Sequence, residues 1–209
     1  MAKKFELEKR ALIEPEQLEE VISLLDKEAK LEETFRRFSI IFWDHAETAP
    51  AEASPYDFRI RITDGVGLFT LKYGDWRGGG REEYEFHFNL NELSAVVNLM
   101  RVMGNKWGTV THVERRKYLY AGMEVVVDKY LDDGKGILEI EKDCKSEKEF
   151  EEGEKVLDEI FAKWNLAPLT KEGMVEFVVY TNNKKDNYFD LELHGVDEVI
   201  SGWDERIKA

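Results

Sequence analysis

Charged and apolar residues alternate along several short segments of the chain. A period of two is the pattern of a β-strand that has one charged face and one apolar face. Arg59 and Arg61 fall on one face of such a segment, with phenylalanine and isoleucine between and beside them. Glu139 and Glu141 fall on one face of another, opposite leucine and isoleucine. The pattern therefore predicts several strands that each carry charge on a single side.

Ten strands and three amphipathic helices are predicted in all. The first helix spans about 15–29, the second begins at the N-cap residue Asn91, and the third begins with Ser146 and Glu149 as a capping box. Strands are predicted at 4–13, 37–44, 56–63, 67–73, 81–89, 109–120, 122–130, 136–142, 173–181 and 187–194.

Many antiparallel strands with few helices indicate an α+β fold. The composition does not change abruptly along the chain, so a single domain is predicted. Residues 1–168 form its main part, and residues 169–209 add accessory strands and a short helix.

The charged strand faces have two interpretations. They form ion pairs on a solvated sheet, or the sheet closes into a barrel and they line its lumen. Acids and bases nearly balance on these faces, and arginine, whose planar fork suits phosphate oxygens, dominates the bases. A dry interior with so many charges would be unfavourable, so the second interpretation requires a wet tunnel that holds metal ions and phosphate. The acids are Glu6, Glu8, Glu83, Glu85, Asp128, Glu139 and Glu141, and the bases are Arg10, Arg59, Arg61, Lys72, Arg81, Arg115 and Lys117.

The overall charge restricts the class of partner. The 209 residues carry a net charge of −14, which argues against binding to a nucleic-acid duplex and allows a polyanionic ligand only in a local basic pocket. The single cysteine, Cys144, excludes an intramolecular disulfide and fits a reducing compartment. No apolar run is long enough to span a membrane. A cytoplasmic location is expected, and a homodimer is left open.

The ordered charged motifs resemble those of the CYTH superfamily, the triphosphate tunnel metalloenzymes. This group includes class IV adenylate cyclases, thiamine triphosphatases and inorganic triphosphatases. The resemblance extends over about residues 5–165. It rests on Glu6-Leu7-Glu8-Lys9-Arg10, Arg59-Ile60-Arg61, Thr70-Leu71-Lys72, Arg81-Glu82-Glu83-Tyr84-Glu85, the pair Arg115 and Lys117, Val125 to Asp128, and Glu139-Ile140-Glu141.

The resemblance implies a closed eight-stranded antiparallel tunnel, with the helices packed outside it, and a role for each motif. Mg²⁺ or Mn²⁺ would bind to Glu6, Glu8, Asp128, Glu139 and Glu141. The triphosphate would bind to Arg59, Arg61, Lys72, Arg81, Arg115 and Lys117. The catalytic residues would be Arg10, Glu8 and Lys72, while Glu83 and Glu85 would orient the basic groups or support a metal ion.

These roles predict metal-dependent hydrolysis of a triphosphate, which could be inorganic tripolyphosphate, a nucleoside triphosphate or thiamine triphosphate. Two alternatives remain open. A class IV adenylate cyclase would form cyclic AMP from ATP in the same tunnel. A non-catalytic polyphosphate- or nucleotide-binding module would bind without turnover. The binding module is kept as an alternative because Arg10 stands where most of the family has lysine, and because the second strand lacks the usual tyrosine.

Overall fold

The computed structural model describes residues 5–43, 56–74, 82–182, 184 and 186–208. Within them the chain forms nine β-strands and five α-helices. The strands are β1 (Phe5–Ile13), β2 (Lys30–Trp43), β3 (Tyr56–Thr63), β4 (Val66–Tyr73), β5 (Glu82–Asn89), β6 (Trp107–Tyr120), β7 (Met123–Tyr130), β8 (Gly136–Cys144) and β9 (Tyr188–Asp190). The helices are α1 (Pro15–Glu28), α2 (Leu93–Val102), α3 (Glu147–Lys163), α4 (Lys171–Asn182) and α5 (Gly195–Lys208).

The chain divides into two compact units. The first contains Met1–Phe35 and Val113–Thr170, and the second contains Arg36–His112 and Lys171–Ala209. The long strands β2 and β6 therefore each contribute one segment to each unit.

In the first unit, β8 lies between β1 and β7, and β7 pairs in turn with β6, all antiparallel. Helix α1 begins with a proline, which suits its first turn. Helix α3 begins after Ser146, whose side chain accepts a hydrogen bond from the backbone N–H of Glu149 (3.2 Å), as the capping box predicts. The two helices and the apolar strand faces share one core, which contains Leu7, Ala11, Ile13, Leu18, Val21, Ile22, Leu25, Tyr118, Val125, Val127, Leu138, Ile140, Leu157 and Phe161.

In the second unit, the strand order is β6, β2, β3, β4 and β5, and β9 pairs with the first residues of β6. A 3₁₀ turn with a capping box between Asn89 and Glu92 leads into α2, and α5 packs against α2. Helices and strands again share one core, which contains Phe38, Ile40, Phe42, Ile60, Ile62, Leu93, Val97, Met100, Phe189, Leu191 and Val199.

The α+β assignment is confirmed, but the closed barrel is not. Among the described strands, β1 pairs only with β8 and β5 pairs only with β4. No hydrogen bonds among these residues join the sheet into a closed ring, so the tunnel stays an expectation from the resemblance.

The prediction of a strand over 173–181 is wrong, because these residues lie in helix α4. The buried positions Phe177 and Thr181 follow the spacing of a helix turn. The hydroxyl of Thr181 also donates to the carbonyl of Phe177 (2.9 Å). The strand predicted over 187–194 is confined to β9. The accessory segment is thus mainly helical.

No helix in the described part of the chain has the length and apolarity needed to cross a membrane.

Candidate functional site

Three carboxylates meet on the charged face of the first unit. Strands β1 and β8 pair so that Glu8 lies opposite Glu141 and Arg10 lies opposite Glu139. One oxygen each from Glu8, Glu139 and Glu141 can be chosen so that the three atoms lie within 4.8 Å of one another. All three residues are partly exposed, so solvent and small ions can reach them. We call these three residues the carboxylate cluster.

The apolar core holds the cluster on this face. Leu7 and Ala11 alternate with Glu8 and Arg10 along β1 and are buried against the helices. A shift of one residue in the pairing of these strands would bury the charges and expose the core. The register that brings the carboxylates together is therefore the one that buries the apolar side chains.

Arg10 provides the positive charge nearest to the cluster. Its guanidinium contacts the carboxylates of both Glu8 and Glu139. Burial alone would raise the pKa of Glu139, but hydrogen bonding with Glu141 and the charge of Arg10 outweigh it, and the pKa falls to about 2. Glu139 is therefore ionised at neutral pH. Carboxylate oxygens in such a group are the donors that Mg²⁺ and Mn²⁺ prefer.

Asp128 lies outside the carboxylate cluster. It accepts two hydrogen bonds from Arg115, at 2.6 Å from Nε and 2.5 Å from Nη2. Burial would lower the pKa of Arg115, yet the hydrogen bond and charge of Asp128 raise it, so the guanidinium stays charged. The structure therefore places Asp128 as the partner of a predicted phosphate-binding residue.

Lys117 and Glu6 complete the predicted residues of this unit. The ammonium of Lys117 lies 3.2 Å from a carboxylate oxygen of Glu124. The side chain of Glu6 lies outside the described part of the structure, although its backbone pairs opposite Asp143. Of the predicted metal ligands, the structure thus brings three together, pairs Asp128 with arginine and leaves Glu6 untested.

The charged face of the second unit carries basic residues with polar partners on the same or a neighbouring strand. Arg59 makes a two-point contact with Asp57, at 2.7 Å from Nε and 2.6 Å from Nη2. Lys72 lies 3.1 Å from a carboxylate oxygen of Glu83, the partner role expected for that glutamate. Such contacts fix the orientation of long basic side chains.

Arg61 belongs to a chain of hydrogen bonds on this face. Its guanidinium donates to the hydroxyl of Thr70 (3.5 Å), and that hydroxyl donates to Glu85 (3.3 Å). Thr70 is fully buried, whereas Glu85 is exposed, so only the middle of this chain of hydrogen bonds is shielded from solvent. Arg81 lies outside the described residues, and its predicted role is untested.

Two acidic partners were missed in the sequence, although the signal was present. Asp57 precedes Arg59 by two residues, and Glu124 precedes Asp128 by four, so each continues an alternation already recognised. If the alternating pattern is followed to the end of each strand, it includes both Asp57 and Glu124. Each of the two units thus presents a charged face on an antiparallel sheet of an α+β fold, with a carboxylate cluster in the first and orientated basic groups in the second.

A family model described as the CYTH domain matches residues 4–172. The matched region includes the carboxylate cluster and the basic residues of both units. The chain belongs to the CYTH domain family. A comparison with curated proteins found no match.

Solved structures share this fold. The PH1012 protein from Pyrococcus horikoshii OT3 is 22% identical, with a TM-score of 0.56, and the match covers 78% of this chain and 91% of that one. The PH1819 protein from the same organism is 18% identical, with a TM-score of 0.59, and 78% and 92% of the chains are covered. HpAC1 from Hippeastrum, described as having a dominant triphosphatase activity, is 17% identical, with a TM-score of 0.54, and 79% and 90% are covered. At these identities the likeness establishes the fold alone.

Proposed function

We propose that this protein is a divalent-metal-dependent hydrolase of a triphosphate. CYTH domain proteins typically process triphosphates. The observation that carries the proposal is the carboxylate cluster with Arg10 in contact with two of its members. The cluster supplies oxygen donors for a hard cation, and the arginine supplies a fixed positive charge for a phosphoryl oxygen.

The proposal assigns Glu8, Glu139 and Glu141 to hold Mg²⁺ or Mn²⁺, and predicts that Glu6 assists them. A bound divalent ion would neutralise phosphate charge and polarise the phosphoryl group. Asp128 is reassigned from metal ligand to the residue that orients Arg115. Arg10 remains the proposed contact to the phosphoryl group that is transferred, and Lys72 keeps its predicted catalytic role.

The remaining basic residues are assigned to the triphosphate. In the second unit these are Arg59, Arg61 and Lys72, and in the first they are Arg115 and Lys117. Phosphoryl transfer depends mainly on positioning and on neutralising charge. Residues whose orientation is already fixed by acidic neighbours suit this task, because less side-chain freedom is lost when the substrate binds.

The test is phosphate release from inorganic tripolyphosphate, ATP and thiamine triphosphate in the presence of Mg²⁺, Mn²⁺ or EDTA. Glu141→Gln should reduce metal-dependent release by about 100-fold or more, because it removes a charged ligand of the ion. Glu19→Gln is the matched control, since Glu19 is exposed on α1 and outside the cluster. It should leave the rate unchanged.

Product analysis separates the alternatives. Cyclic AMP and pyrophosphate formed from ATP would replace the hydrolase proposal with a class IV adenylate cyclase. Tripolyphosphate binding without turnover in either metal would identify a binding module, and Arg10→Lys would then test whether the family's more common residue restores hydrolysis. An equal rate in EDTA and Mg²⁺ would contradict the metal assignment.

A further inference from the structure

Strand β9 brings a tyrosine to the charged face of the second unit. The pairing of β9 with β6 sets Tyr188 opposite Thr109 and Phe189 opposite Gly108. Phe189 is buried in the apolar core with Phe38 and Phe42. Because successive side chains of a strand point to opposite faces, Tyr188 lies on the other side of the sheet, away from that core.

The face reached by Tyr188 is the one that carries the basic residues. In the pairing of β2 with β3, Ser39 lies opposite Arg61 and Ile41 lies opposite Arg59. Trp43 follows Ile41 by two residues and therefore shares its face. The rings of Trp43 and Tyr188 are in contact, with centroids 5.8 Å apart. The two aromatic residues thus continue the face of β2 and β3 that presents the arginines.

Trp43 carries a polar group that needs an acceptor. The side chain is only 6% exposed, and its buried Nε1 has no hydrogen-bond partner within the part of the chain that the structure describes. Buried N–H groups are nearly always paired, and an unpaired one is unfavourable. Trp107, close to β9, illustrates the usual arrangement, since its Nε1 donates to Asp190 at 3.0 Å.

We propose that Trp43 and Tyr188 are two neutral hydrogen-bond donors for the phosphate oxygens of the substrate. The inference rests on the proposed function, and it adds two residues to the phosphate-binding face. A phosphate chain is rich in acceptors and poor in donors, so it matches an indole N–H and a phenol O–H. Burial and then the charge of Asp190 raise the pKa of Tyr188, so the phenol keeps its proton at neutral pH.

Tyr188 lies beyond residue 172, where the match to the family model ends. The segment that follows the matched region therefore contributes a side chain to the substrate-binding face of the second unit. This assigns part of the tail a binding role in addition to its contribution to the core through Phe189 and Leu191.

The experiment compares Trp43→Phe and Tyr188→Phe with the wild type. Each change removes one donor and keeps an aromatic ring. The dissociation constant of inorganic tripolyphosphate is measured by calorimetry in EDTA, where metal-dependent turnover is prevented, and KM and kcat are measured separately with Mg²⁺. Each variant should weaken binding about 10-fold or raise KM by a similar factor, as expected for a hydrogen bond to a charged group.

Two matched variants control for structural effects. Trp107→Phe removes an indole N–H that already has a protein partner, and Tyr73→Phe removes a hydroxyl from an exposed tyrosine of β4. Both should bind tripolyphosphate like the wild type. Melting temperatures of all four variants confirm that each is folded under the assay conditions.

The outcomes separate this inference from the proposed function. Hydrolysis by the wild type with unchanged binding and KM in Trp43→Phe and Tyr188→Phe overturns the inference alone. Binding without hydrolysis, weakened in these two variants, overturns the hydrolase function alone. A wild-type protein that binds no tripolyphosphate, with or without Mg²⁺, overturns both.

Discussion

Replacing Arg10 by methionine tests how the carboxylate cluster is stabilised. The change removes the guanidinium that contacts Glu8 and Glu139 and keeps an unbranched side chain. The pKa of Glu139 lies at about 2 in the folded protein, below its ordinary value of 4.5. Its ionisation therefore stabilises the folded state above about pH 4.5, and this stabilisation is lost as the pH falls towards about 2.

The lowered pKa corresponds to a stabilisation on the order of 3 kcal/mol. This is an upper limit for Arg10, because hydrogen bonds with Glu141 and Glu8 also lower the pKa of Glu139. Urea unfolding in EDTA should show that Arg10→Met is less stable than the wild type at about pH 7. The difference in stability should shrink as the pH is lowered to about 3, where Glu139, whose pKa is lowered in the wild type, begins to take up a proton.

Mg²⁺ should stabilise the variant more than the wild type, because the cation replaces the missing positive charge among the three carboxylates. Lys9→Met is the matched control. Lys9 is next in the chain and pairs with the exposed Asp158 on α3 (2.5 Å), so its loss should change stability by at most about 1 kcal/mol, with no added response to Mg²⁺.

Two results would refute this reasoning. A stability difference between Arg10→Met and the wild type that stays constant from about pH 7 to about pH 3 would rule out the electrostatic explanation. Equal stabilisation of both proteins by Mg²⁺ would show that the cation does not bind beside Arg10.

Three further variants test individual contacts. Arg59→Lys keeps the charge but loses the planar two-point donor, and calorimetry should show tripolyphosphate bound about 10-fold more weakly; unchanged affinity would remove Arg59 from the binding face. Tyr118→Phe deletes the hydroxyl that donates to Asp26 (2.9 Å), so urea unfolding should show a loss of about 1 kcal/mol with tripolyphosphate binding unaltered. Gly153→Ala in α3 places a methyl group 2.7 Å from Cδ2 of Leu7, so it should destabilise the protein by about 1–3 kcal/mol, whereas a gain would show that the helix moves aside.

The charged faces of the strands could be predicted from the sequence because alternation is a local property. The faces that carry Arg59 and Glu139 follow directly from a period of two. The capping box at Ser146 is equally local, and it correctly marks the start of α3.

The contacts within the site could not be predicted in the same way. Glu8 meets Glu141 because β1 pairs with β8 in one register, and these strands are far apart in the chain. Asp128 and Glu139 both alternate with apolar residues, so the sequence pattern does not distinguish them. The structure shows that Asp128 is the partner of Arg115 and that Glu139 belongs to the carboxylate cluster. The helix at 171–182 was missed because its β-branched residues favour a strand locally, while tertiary packing favours a helix.

The paired charges of the second unit have a consequence for selectivity among anions. Arg59 and Lys72 already contact the carboxylates of Asp57 and Glu83. A small anion such as chloride would replace a carboxylate at only one of these cations, so the net free energy gained on binding would be small. A chain of linked phosphates can compete at several cations at once, and each contact after the first is intramolecular. We therefore expect the internal acids to make this face favour ligands with several linked negative charges over simple anions.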